Sequence, residues 1–324
     1  MLKDCQFCSV VSKKNGEDPI GTASTHDYWL LTELPLPWIF ENWQKDPLVG
    51  RLIQLFERLI VKEGMKLRPL AIAPNTDCAK PGYHRILFYR RPARLFSQYE
   101  QQEYLIPTER LYDITLALLQ APERLAEFEP YRQPVSTRAL IICTHGNVDV
   151  ACSRFGDPIY QELREKYASS SLRIWRCSHF GGHRFAPTLI DLPIGQFFGH
   201  LESTHLDALI HHRGDWQPLR NCYRGWAGLT PLEQVAEREI WMQLGWTWFD
   251  YVKAGKIKKD FGSAPKGTAD LATVQIECKN VHGESNIYEI DIERIEDVET
   301  ASQSGAGMKM EKVKQYRVNR TRVL

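Results

Sequence analysis

The stretch "RCSHFGGHRFAP", residues 176–187, sets His179 and His183 on either side of Gly181 and Gly182, with Cys177 just upstream. A helix would bring such an i, i+4 histidine pair onto one face to hold a metal. Glycine costs about 1 kcal/mol per residue in a helix interior, so this pair reads as ligand chemistry carried on a turn. Upstream, "CTHGNVDVAC" places Cys143 and Cys152 with eight residues between them. Both clusters follow apolar, strand-like runs, "ALIICTH" (139–145) and "LRIWRCS" (172–178). Loops at the carboxyl ends of neighbouring parallel strands meet at one sheet edge. If these runs are such neighbours, two thiolates and two imidazoles converge. That set suits either zinc or a [2Fe–2S] cluster. The Cys143–Cys152 gap exceeds the short knuckles zinc commonly uses, whereas a larger inorganic core accepts ligands from longer loops.

The elements that must position these residues repeat along the chain. "DYWLLTEL" (27–34) reads as a buried strand. "RLIQLFERLIVKE" (51–63) reads as a helix with Leu52, Leu55, Phe56, Leu59 and Ile60 on one face, stopped by Gly64. Strands "LRPLAIA" and "HRILFYR", a short strand at "EYLIP" and the helix "TERLYDITLALLQ" follow, with "APERLAEFEPYRQPVS" as a linker. The order then recurs. After "ALIICTH" comes a helix over 157–168, with Asp157 as N-cap and Pro158 in its first turn. Next come "LRIWRCS", "PTLIDL", "GQFFGHL" and the helix "STHLDALIHHR". The expected class is α/β: two halves whose element order resembles a thioredoxin-like layer, the first (1–135) a degenerate copy and the second (136–225) bearing the cluster residues. A small C-terminal α+β appendix (226–324) completes the chain. It opens on a helix with a capping box at Thr230 and Glu233, continues with alternating strands, and contains the loop "TASQSGAGMK".

Composition narrows the classes. With 43% apolar and 25% charged residues in 324, the chain has ample material for a core. A formal net charge of +1 points to neither nucleic acid nor a membrane surface. No apolar run approaches the roughly 18 residues of a transmembrane helix, and the first residues turn charged too early for a signal peptide. The expectation is a soluble, cytoplasmic protein with no membrane or nucleic-acid partner. Eight cysteines are too few for a disulfide scaffold of this length and fit buried, metal-binding or redox roles. Neither a P-loop nor a G-x-G-x-x-G occurs, and no carboxylate pair can be assigned to glycoside hydrolysis.

Several motifs in order, "CSVVSKKNGEDPIGTAS", "ICTHGNVDVACSRFGDPIY", "WRCSHFGGHRFAPTLIDLP", "GQFFGHL" and "GWAGLTPLEQVAEREIW", resemble the sucrase/ferredoxin-like family over at least residues 5–245. Its core domain is similar to thioredoxin-like [2Fe–2S] ferredoxins whose last two ligands form C-x3-C. Here the corresponding pair is H-x3-H, as in the bis-histidinyl branch. The resemblance implies Cys143, Cys152, His179 and His183 as iron ligands of a [2Fe–2S] cluster. It further implies single-electron transfer between a reductase and an acceptor, both redox partner proteins. Neutral imidazoles in place of two thiolates raise the potential, as in Rieske centres. They also retain ring N–H groups, so the potential is expected to fall with rising pH.

The alternatives are an oxidoreductase using thiols or the cluster, and a zinc-stabilised interaction module on the same Cys2His2 set. Lesser candidates are Cys177 and His145 as substitute ligands, Arg184 near the cluster, and the "CQFC" pair Cys5 and Cys8 as a redox dithiol with no immediate helix signal. Cys78 and His84 occupy the histidine-loop position of the first half. The aromatic group around Trp226, Trp241, Trp246, Trp248 and Phe249 reads as core, and the basic segment 309–322 as solvated strand.

Overall fold

A computed structural model describes residues 6–75, 79–135, 138–261 and 271–324. The chain begins with α1 (Cys8–Lys14), β1 (Tyr28–Glu33), α2 (Phe40–Lys45) and α3 (Pro47–Glu57). It continues through β2 (Leu67–Ile72), β3 (Tyr83–Arg90), β4 (Glu100–Pro107) and α4 (Leu111–Gln120). The second run is β5 (Arg138–Cys143), α5 (Val150–Tyr167), β6 (Leu172–Cys177), β7 (Leu189–Leu192), β8 (Gln196–Phe198), α6 (Ser203–His211) and β9 (Tyr223–Trp226). Helix α7 (Pro231–Leu244) leads into β10 (Val252–Lys259), β11 (Leu271–Lys279), β12 (Ser285–Ala301) and β13 (Met310–Val323).

The fold is mixed α/β, with a nine-stranded sheet ordered β4-β3-β1-β2-β6-β5-β7-β8-β9 and a four-stranded antiparallel sheet β10-β11-β12-β13. The expected recurrence is visible in the pairing. In the first run β1 is parallel to β2 and antiparallel to β3, which pairs antiparallel with β4. In the second, β5 is parallel to β6 and antiparallel to β7, which pairs antiparallel with β8. The two runs are joined into one sheet where β2 meets β6 at Ile72 and Cys177. Ser178 N–H donates to the Ala71 carbonyl at 2.8 Å, and Ala73 N–H to Arg176 at 3.1 Å. The central strands β1 and β5 are buried almost throughout, as their unbroken apolar runs require.

Three expectations need correction. Helix α5 begins at Val150 with Asp149 as N-cap, its carboxylate accepting from Ala151 N–H at 2.8 Å, and Pro158 lies inside it. Asp157 pairs instead with Arg176 at 2.9 Å. The signals at 157 and 158 were overridden by packing, and the helix start moved to the residues flanking Cys152. The linker over residues 122–131 is a series of 3-10 turns, pinned by the fully buried Phe128. Third, a helix does follow "CQFC": α1 starts at Cys8.

Other expectations hold. Leu52, Leu55 and Leu59 are buried. Thr230 N–H donates to Glu233 at 2.7 Å, closing the capping box of α7. Helix α7 is buried nearly all round, Gln234, Glu237 and Arg238 included, because β11 and β12 cover its outer side. Trp226, Trp241, Trp248 and Phe249 are core residues, with Trp248 Nε1 donating to Glu237 at 2.7 Å. Among the described residues no helix is long and apolar enough to cross a membrane.

The core carries an acid-sensitive element. His200, buried against Phe185, has its pKa lowered from 6.5 to about 4 by desolvation, reinforced by Lys13 and Arg224. Between pH 6.5 and 4 the unfolded chain binds a proton that the folded chain does not, so stability falls as the pH drops through this window. The expected loss at pH 4 is up to roughly 3 kcal/mol from this residue, at 1.36 kcal/mol per pKa unit. Urea melts of metal-free protein between pH 7 and 4 check it: His200→Gln should flatten the acid slope, and an unchanged slope would contradict the assignment.

Candidate metal centre

The site forms at the carboxyl ends of β5 and β6, which are parallel neighbours with Cys143 opposite Cys177. Cys143 ends β5, and Cys152 stands in the first turn of α5, its N–H donating to Asp149 at 3.0 Å. What brings the two together is Gly156. A Cβ there would lie 2.2 Å from the Cys143 carbonyl oxygen, so α5 can press onto the end of β5 only without one. Glycine inside a helix is unfavourable, and this close approach is its compensation. Because the obstacle is backbone, Gly156→Ala is expected to cost at least 1–3 kcal/mol, the usual range for overpacking, and to separate the two thiols. A thermal melt within a degree of wild type would contradict this.

Cys143 and Cys152 are each 1% exposed. His179 Nδ1 lies 3.7 Å from Cys143 Sγ and 3.6 Å from Cys152 Sγ, and the three form a group that could hold a metal ion. Hydrogen bonding from the Cys152 thiol, with further help from His179, holds Cys143 well below the ordinary thiol range despite its burial. The neighbouring Cys143 sulfur and burial raise Cys152. One thiol of the pair is thus primed as a thiolate, the form that binds metals.

The histidine loop is fixed by two guanidinium groups. Arg68 donates to the His179 carbonyl at 2.8 Å, and Arg224 to the Gly181 carbonyl at 3.1 Å. Arg224 is 3% exposed, and burial, with Arg184 adding to it, lowers its pKa to about 9. Gly182 has φ +80°, and a Cβ there would fall 2.5 Å from the Arg224 guanidinium. The glycines that spoil a helix therefore let the loop settle on a buried cation. The positive charges of Arg68 and Arg224 favour an anionic occupant beside Cys143.

His183 follows in a 3-10 turn, its ring centroid 5.7 Å from that of His179. Its Nδ1 lies 3.3 Å from Asp149 Oδ2 and 3.3 Å from Cys8 Sγ, so the structure groups it with Cys8 and Asp149 rather than directly with the two thiols. Hydrogen bonds with Asp149, then with Cys8, raise its pKa to about 9. Burial alone would raise Asp149, but hydrogen bonds from His183, Ser304 and Ala151 hold it well below the usual carboxylate range. Ser304 comes from the loop between β12 and β13. Its N–H donates to Asp149 at 2.8 Å and its hydroxyl at 2.7 Å.

His145 Nδ1 accepts the His179 N–H at 3.2 Å, which leaves Nε2 protonated to donate to the Trp38 carbonyl at 2.7 Å. Both ring nitrogens are engaged, so it supports the loop. Cys177 is fully buried, and desolvation, then the Cys143 charge, raises its pKa. Arg184 bridges Glu17 at 2.7 Å and Glu311 at 2.8 Å. His84 pairs with the Glu33 carbonyl at 2.8 Å. Cys5 and Cys78 lie outside the described residues. Segment 309–322 falls largely within β13, whose Arg317 and Arg322 pair with acidic residues of β12. Sequence reasoning missed Asp149, Arg68, Arg224 and Ser304. Only Asp149 carried a signal, an Asp placed as N-cap three residues before Cys152.

Paired thiols and an imidazole at the carboxyl edge of an α/β sheet, beside the guanidinium groups of Arg68 and Arg224, define a candidate metal-holding protein. The chain belongs to the sucrase/ferredoxin-like family, whose model matches residues 19–225. Comparison with curated proteins and with solved structures returned no match.

Proposed function

We propose that the protein is a [2Fe–2S] electron carrier, with Cys143, Cys152, His179 and His183 as ligands, in the second of two thioredoxin-like halves. The observation that carries this reading is the convergence of two buried thiols on His179 Nδ1 at 3.6–3.7 Å. A sulfur at about 2.3 Å and a nitrogen at 2.0–2.1 Å from one tetrahedral metal stand roughly 3.6 Å apart, so the three donors are spaced as ligands of a metal are. The donor chemistry fits as well, since thiolates and imidazoles are the ligands of such clusters. The repeated strand order supports the thioredoxin-like description of the halves.

When bound, a [2Fe–2S] group supplies one-electron redox chemistry. The chain's own residues do the rest. Cys152 gives up its proton on binding, whereas Cys143 is already held toward the thiolate. Arg68 and Arg224 hold the loop and offset negative charge. Asp149 orients the His183 ring through Nδ1, as carboxylates commonly do for metal-bound histidines. Such a carrier takes an electron from a reductase and passes it to an acceptor, and a soluble, cytoplasmic setting suits that role. The test is spectroscopic. Anaerobically purified protein should be brown and give an EPR signal on reduction with dithionite. A colourless, EPR-silent protein would overturn the reading and favour zinc.

A further inference from the structure

We propose that Cys8 is a further thiolate ligand of the metal centre, able to hold the iron in place of His183; this rests on the [2Fe–2S] reading above. Cys8, Asp149 and His183 form a second group that could hold a metal, all three donor atoms lying within 4.8 Å of one another. Cys8 is fully buried, and its Sγ stands 3.3 Å from His183 Nδ1. A thiol this close to the His183 ring stands within reach of a metal that the ring would bind.

The surroundings of Cys8 set it apart from a packing cysteine. Buried free cysteines behave as small apolar groups. Cys8 instead meets the Asp149 carboxylate at 3.7 and 3.8 Å and the Ser304 hydroxyl at 3.2 Å. Its position is built from two distant parts of the chain, because its backbone N–H donates to Ser304 Oγ at 3.0 Å. The family match begins at residue 19, so both Cys8 and Ser304 lie outside it. The ligand set expected from the family leaves this thiol without a role.

The exchange balances. The iron–nitrogen bond to His183 breaks and an iron–sulfur bond to Cys8 forms. The thiol proton passes to the freed imidazole, and no electron moves. The centre gains one negative charge and the imidazole one positive charge, which then faces Asp149 at 3.3 Å.

The experiment compares wild type, His183→Ala and the double variant Cys8→Ser/His183→Ala, each purified anaerobically and analysed for iron, sulfide, EPR spectrum and reduction potential. His183→Ala is expected to keep most of its iron and sulfide, with an altered EPR spectrum and a lower potential, because a thiolate replaces an imidazole. The double variant should hold less than about a tenth of the iron of the single one, in line with the 10–100-fold affinity losses of lesser ligand-shell changes. His183→Asn, which keeps a polar side chain on the turn, should match His183→Ala and guards against simple misfolding. Equal iron in the single and double variants would overturn the proposal, as would complete loss of iron from both His183 single variants. Wild type without iron and sulfide would overturn the [2Fe–2S] reading, and this inference with it.

Discussion

On the proposed [2Fe–2S] reading, Cys143→Ala and Cys152→Ala should each abolish iron and sulfide binding while leaving the protein folded. Both side chains are buried, and both lie within 3.7 Å of His179 Nδ1. Changes to groups that merely hydrogen-bond to ligands cost 10–100-fold in affinity, so removing a direct thiolate should cost more than about 100-fold. The two substitutions are not equivalent in the metal-free protein. Cys143 is lowered because Cys152 donates to it, whereas Cys152 is raised by the sulfur beside it. Cys152→Ala should therefore raise the pKa of Cys143, which the pH dependence of thiol alkylation would report. Full iron content in either variant would contradict the ligand assignment.

The second large effect concerns potential. If the proposed cluster is present, His179→Cys should retain it and lower its reduction potential by on the order of 100 mV or more, given the span between plant-type ferredoxins near −400 mV and Rieske centres above about −150 mV. The direction follows from charge, since a thiolate adds a negative charge where an imidazole has none and the oxidised state gains most from it. Arg68 and Arg224 work the other way, and Arg224→Gln should also lower the potential by removing a buried cation beside the histidine loop. Redox titration followed by EPR checks both. A potential unchanged in His179→Cys would exclude His179 as a ligand.

The sequence carried the strand order because β1, β2, β5 and β6 are short apolar runs ended by polar turns, a pattern that depends on local residues. It carried the meeting of Cys143, Cys152 and His179 because parallel neighbouring strands bring their following loops to one edge. It misplaced the start of α5. Asp157 and Pro158 form a strong local start signal, but burial of Ala151, Cys152 and Gly156 against β5 favours an earlier one. The neighbours of His183 were not legible. Cys8 and Ser304 reach the site from positions 296 residues apart, and Arg68 and Arg224 reach it through tertiary packing that leaves no periodic trace. The loop holding Ser304 reads as a solvent-exposed connection because its small polar residues give no sign of the buried carboxylate they meet.

The most direct test of the central claim is metal and sulfide analysis of the full chain purified without oxygen. The account predicts about two iron atoms and two acid-labile sulfides per chain, the composition of a [2Fe–2S] cluster, with zinc below a tenth of the iron. One zinc per chain with no sulfide would contradict it.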